Sequence, residues 1–71
     1  MNLTVNGKPA SIAEENPLSV SQLLEALQVA QREYVTVELN GEILERDNFD
    51  SATVKNGDTV EFLYFMGGGA A

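Results

Sequence analysis

Leu3 and Val5 alternate with the polar Asn2 and Thr4, the period of two that a strand shows when one face is buried. Asn6-Gly7 then supplies two residues that tolerate positive φ at the centre of a tight hairpin, so a second strand is expected near residues 8–12. Pro9 has no N–H to give to a ladder, which puts that strand at a sheet edge or starts it there. The period changes at Ser19. With Ser19 as N-cap, Gln22 three residues on closes a capping box, and Leu18 is placed to staple against Leu23. Val20, Leu23, Leu24 and Leu27 recur at helical spacing as one apolar stripe, while Ser21, Gln22, Glu25 and Gln28 face water. From Tyr34 the period returns to two: Val35, Val37 and Leu39 alternate with Thr36 and Glu38, and Asn40-Gly41 turns the chain into Glu42-Ile43-Leu44. Residues 46–51 read as turn, with Phe49 plugging the core from a loop. A third pair, Asn56-Gly57, leads into an apolar run from Thr59 to Phe65.

In that last strand Val60, Phe62 and Tyr64 share one face and Glu61, Leu63 and Phe65 the other. If the first set is core, Leu63 and Phe65 look outward. Either they form a contact patch for a partner, since contiguous exposed apolar surface is unusual in a monomer, or a loop or the stem of Lys8 or Arg46 covers them. The order strand, strand, helix, strand, strand, ending on one long apolar strand, is that of the β-grasp fold. It predicts an α+β domain with a mixed sheet of four to five strands, one main helix packed across it, and the first and last strands paired in parallel at the sheet centre.

Seventy-one residues make one domain with a small core. Without cysteine or histidine the chain has no thiolate chemistry, no disulfide and none of the commonest general bases and zinc ligands. A net charge of −7 repels phosphate backbones and anionic lipid, so neither nucleic acid nor a membrane is an expected partner, and a basic docking surface is favoured. Acidity for solubility alone is the plain alternative. Residues 1–5 lack the basic start and apolar run of a signal peptide, and a cytoplasmic location is the expectation. Glu14-Glu15, Asp47 and Asp50 lack the glycine-centred spacing of a calcium loop and read as surface and turn residues. Tyr64 and Phe65 could stack on a base, but no Lys or Arg surrounds them in sequence.

The apolar run stops in Met66-Gly67-Gly68-Gly69, and Ala70-Ala71 follow. Terminal glycines add nothing to stability, because glycine loses the most freedom on ordering and has no side chain to pack. They do make a thin thread. At ~3.3–3.6 Å per residue the four residues 66–69 can carry a chain end over about 10 Å into a narrow channel, and an acyl group with a bare α-carbon is open to attack. The division expected is a β-grasp domain over 1–65 and a flexible tail over 66–71. A frayed end without a role is the alternative.

The opening Leu3-Thr4-Val5-Asn6-Gly7-Lys8, the 19–27 helix, the segment 35–42, the Asn56-Gly57-Asp58 turn and above all the Phe65-Met66-Gly67-Gly68-Gly69 ending resemble the ThiS-like sulfur carrier proteins of the ubiquitin-like β-grasp family. The ending is the specific part. The resemblance implies a carrier that catalyses nothing and binds no cofactor or metal. A ThiF-like adenylating enzyme would use ATP and Mg²⁺ to activate the terminal glycine carboxylate, and a desulfurase system would supply sulfur to make a thiocarboxylate. A thiazole synthase of thiamin biosynthesis would consume it. By the same resemblance Gly69 is the sulfur acceptor, with Gly68 as the alternative end. Leu63 and Phe65, outward-facing by alternation, are the expected partner-binding residues. Family members ready to react end on glycine, whereas here Ala70 follows Gly69. Removal of Ala70-Ala71 by a C-terminal peptidase is therefore expected, an inactive copy being the alternative. Sulfur delivery to cysteine, homocysteine or molybdopterin synthesis, and a plain β-grasp binding module, are the competing functions.

Overall fold

The structure, a computed structural model, describes residues 1–64. Its chain opens on the hairpin of β1 (Asn2–Val5) and β2 (Lys8–Ser11), paired antiparallel from Asn2↔Ser11 to Val5↔Lys8. Asn6 and Gly7 both take positive φ, 51° and 81°, the left-handed pair that a two-residue turn needs to match strand twist. Pro9 sits on β2, which is an edge strand, so its missing N–H costs no rung.

A two-residue strand β3 (Leu18–Ser19) runs straight into helix α1 (Val20–Ala26). Expected over 19–27, the helix keeps Ser19 as N-cap and Leu27 as C-cap. The Ser19 hydroxyl accepts from the Gln22 N–H at 3.1 Å and the Gln22 side chain accepts from the Ser19 N–H at 3.0 Å, so two orphan donors of the first turn are satisfied. Val20, Leu23 and Leu24 are buried as the stripe requires, and Leu27 packs at the core margin.

The second hairpin joins β4 (Val35–Leu39) to β5 (Glu42–Leu44) through Asn40-Gly41, again with both φ values positive. A 3-10 turn over Arg46–Asn48 delivers Phe49 into the core, where it is 5% exposed. β6 (Thr53–Val54) pairs with β3 as a small second sheet, an element too short to show a period in the sequence. The chain closes the main sheet with β7 (Thr59–Tyr64), parallel to β1 and antiparallel to β4, giving the order β2-β1-β7-β4-β5. One helix lies across one mixed five-stranded sheet: the β-grasp arrangement, with first and last strands adjacent at the centre as the pattern predicts.

Leu3, Val35, Val37 and Val60 from the sheet meet Val20, Leu23 and Leu24 from the helix, with Phe49 and Val54 completing the core. One expectation needs correction at the edge of this core: Tyr64, assigned by alternation to the core face, is 42% exposed. The reason lies in lengths. Seven helical residues rise about 10 Å, whereas six extended residues run about 20 Å, so the helix cannot cover all of β7. Among the described residues no helix is long and apolar enough to cross a membrane.

Candidate functional site

The last strand is where the sequence places the chemistry. Of the predicted site residues, Leu63 is described; Phe65, Met66, Gly67, Gly68 and Gly69 lie outside the described residues. Leu63 stands opposite Thr36 of β4, on the face away from the helix, and is half-buried rather than fully exposed. Arg46, one of the two stems considered as its cover, is engaged elsewhere: its guanidinium carbon lies 5.2 Å from the centroid of the Phe49 ring. Lys8, the other, is exposed on the edge strand β2. The same outer face carries the directly opposed Glu38 and Glu61, and beyond Glu38 the edge residue Ile43, 64% exposed. Sequence reading missed Ile43, since a three-residue strand offers no period from which to assign its face.

All three Asn-Gly turns do more than turn. Asn6 donates its N–H to the Val60 carbonyl at 2.9 Å, and its side-chain Oδ1 accepts from the Phe62 N–H at 2.8 Å. Asn40 donates to the Thr59 carbonyl at 2.7 Å while its Oδ1 accepts from the Thr59 N–H at 2.9 Å. Asn56 Oδ1 accepts from the Asn2 N–H at 2.7 Å, and the next residue, Gly57, donates to the Asn2 carbonyl at 2.8 Å. The left-handed conformation of Asn6 and Asn40 swings their own carbonyls out of the ladder. In each case the carboxamide takes the place of that carbonyl. Two of the three clamp β7, one from each side.

Asp58, just before β7, is the one buried charge among the described residues, 6% exposed. Burial alone raises its pKa. Hydrogen bonds outweigh that: from the Lys55 N–H (2.9 Å), the Asn40 carboxamide (3.1 Å) and the Lys55 ammonium (3.3 Å), together with the Lys55 charge. The net result lies below the ordinary value of 3.8. Asp58 thus closes the turn that launches the last strand.

The far end of β7 is fastened differently. Tyr64 donates its phenol O–H to the Ala30 carbonyl at 2.7 Å. Ala30 belongs to the helix-to-β4 connection, in which Gln28 and Gln31 have positive φ. Arg46 holds this connection too, donating to the Arg32 carbonyl at 2.8 Å and the Val35 carbonyl at 2.7 Å. Beside it a surface cavity of about 310 Å³ is lined by Ser21, Leu24, Arg32, Arg46, Phe49 and Asp50. Its Ser21 hydroxyl donates to Asp50 Oδ1 at 2.5 Å, a pairing with no third group to act as base. Among the described residues no three acidic, His or Cys side chains are placed to hold a metal ion. What the arrangement can do is mechanical: present whatever follows Tyr64 from a fixed root, beside a sheet face with scattered apolar residues.

The sequence model of the ThiS family matches residues 3–69. The crystal structure of a thiamine biosynthesis protein, ThiS, from Geobacter metallireducens superposes with a TM-score of 0.90 at 69% identity, covering 94% of this chain and 97% of that one. The NMR solution structure of a thiamine biosynthesis protein from the same organism, also 69% identical, has a TM-score of 0.78 and covers 94% and 86%. No curated protein matches the chain.

Proposed function

The chain belongs to the ThiS family, and from that premise we propose that it is a sulfur carrier for the thiazole of thiamin, reacting through the carboxyl group of Gly69. The observation that carries this reading is the extent of the family match, which runs through the three glycines and stops at Gly69, leaving Ala70 and Ala71 outside it. Gly68 is the second candidate end.

In this reading the Gly69–Ala70 peptide bond is hydrolysed first by a peptidase. A ThiF-like enzyme with ATP and Mg²⁺ then joins the freed carboxylate to AMP, releasing pyrophosphate and turning a poor leaving oxygen into a good one. The terminal sulfur of a persulfide, supplied by a desulfurase system, attacks the acyl carbon as AMP departs, and cleavage of the resulting S–S bond by a thiol leaves the thiocarboxylate. A thiazole synthase takes the sulfur. The chain contributes no catalytic group to these steps. Its glycines admit the acyl carbon to a narrow site, its lack of cysteine leaves no internal thiol to compete for the activated carbon, and Leu63 and Phe65 supply apolar contact for the partner.

Intact mass tests the reading. Incubation with an extract of the source cells is expected to remove Ala70-Ala71, and addition of the adenylating enzyme, ATP and a sulfur donor to give the gain of one oxygen replaced by sulfur. A mass unchanged throughout supports a binding module instead. Leu63→Asp is expected to raise the KM of the adenylating enzyme for the carrier about tenfold or more, by setting a charge in an apolar contact. Its far-UV spectrum and melting temperature should stay near wild type; loss of folding would mean that Leu63 is core.

A further inference from the structure

We propose that Asn6 and Tyr64 are positioning residues for the acyl transfer: their side-chain hydrogen bonds hold the end of β7 beyond the point where its ladder to β1 runs out, and so help to fix the point and direction from which the glycine tail is offered. The inference rests on the carrier reading above.

The ladder itself shows the need. β1 pairs with β7 only at Thr4↔Thr59 and Val5↔Val60, whereas β4 pairs with it through Val35↔Tyr64. From Glu61 onward β7 therefore has a partner strand on one side. A parallel ladder continuing past Val60 would next have the carbonyl of Asn6 accept from the Phe62 N–H. Asn6 cannot offer it, because at φ 51° its backbone has entered the hairpin turn. Its Oδ1 does so instead, at 2.8 Å, while its N–H keeps the preceding bond to Val60 at 2.9 Å. The carboxamide adds one rung to a strand pair that has ended.

Tyr64 supplies the next fastening, from below the sheet. Its hydroxyl reaches the Ala30 carbonyl at 2.7 Å, and the connection that contains Ala30 is tied at Arg32 and Val35 to the guanidinium of Arg46. Arg46 lies over Phe49, which is buried. Besides its pairing with β4, the end of β7 is thus linked to the core through the side chains of 64, 46 and 49. Beyond Met66 the three glycines have no side chains with which to read their own position. Tyr64 is the last described residue, so its bond to Ala30 and the Asn6 bond to Phe62 are the side-chain fastenings the structure gives nearest to the tail.

Misplacement of a reacting group by about 1 Å can cost up to ~100-fold in rate, and loosening one fastening at the root should cost less. With the protein trimmed to Gly69 and its ThiF-like enzyme, Tyr64→Phe, which removes only the hydroxyl, and Asn6→Gly, which removes the carboxamide but keeps a residue tolerant of the turn, are each expected to lower kcat for ATP–pyrophosphate exchange ~10-fold with KM within about twofold. Asn6→Asp retains both the acceptor and the left-handed preference and is expected to restore kcat. Amide exchange at Phe62 should quicken in Asn6→Gly and stay slow in Asn6→Asp. A merely structural role would lower the melting temperature without that division between kcat and KM and without that rescue. Wild-type protein charged normally, with both variants at wild-type kcat, overturns the inference alone; trimmed wild-type protein that is never adenylated overturns the carrier reading and the inference with it.

Discussion

At Thr59 and Val60 the last strand has β1 on one side and β4 on the other, Val60 is wholly buried, and Asp58 just upstream is locked by three donors. Four residues later, at Tyr64, only β4 remains alongside, the ring is 42% exposed, and a phenol bond to Ala30 supplements the one-sided pairing. The two ends of one strand thus meet different demands. Its start is built for stability, since a buried two-sided strand opens only with the whole domain. Its end is built for placement, with exposed side-chain bonds that can open at small cost.

The sharpest way to break this contrast is to attack the start. Val60→Ala removes two methyl groups from a site with no exposure, at ~0.8 kcal/mol each plus a cavity term, and is expected to lower unfolding free energy by about 2–3 kcal/mol in urea titration. Loss of signal from the helix and from the strands should coincide, because the whole core is one cluster.

Asp58→Ala comes next. It strands the Lys55 N–H and the Asn40 amide and is expected to cost about 1–3 kcal/mol at neutral pH. The pH dependence has a fixed sign. The folded pKa of Asp58 is depressed, so between the ordinary 3.8 and its lower folded value the unfolded chain binds more protons, and the stability it supplies is present above 3.8 and lost as pH falls through the folded value. The gap between wild type and Asp58→Ala should therefore close on acidification below pH 3.8; a gap that widens would refute the assignment. The smallest effect is expected on the outer face. Ile43→Ser, at an edge residue that is 64% exposed, should leave stability within about 0.5 kcal/mol, as read by the same urea titration.

Much of the fold was legible because its signals are local. Three Asn-Gly pairs, one capping box and a stripe from Val20 to Leu27 each depend on neighbours within a turn or two, and the apolar last strand pointed to the sheet centre. The side-chain roles of the same asparagines were hidden for a matching reason. A turn explains Asn6, Asn40 and Asn56 completely within four residues, while the amides that their carboxamides accept lie 56, 19 and 54 positions away in the chain. Tyr64 was misplaced because alternation records which side of the sheet a residue is on, not whether the helix reaches that far. At the candidate site the glycines were plain in the sequence, as was Leu63, whereas the fastening of the strand before them depends on Ala30 and Arg46, residues that carry no motif.

Asparagine before glycine is also the pair in which the following amide nitrogen most readily attacks the side-chain carbonyl, closing a succinimide that reopens largely as isoaspartate. In this protein each of the three carboxamides is engaged by a distant backbone N–H, so ring closure in the native state must first break a strand contact. Folding therefore protects these pairs from chemical ageing. At Asn6 the contact so broken is the Oδ1 bond to the Phe62 N–H, so ageing of this turn would loosen β7 on the flank that β1 has already left.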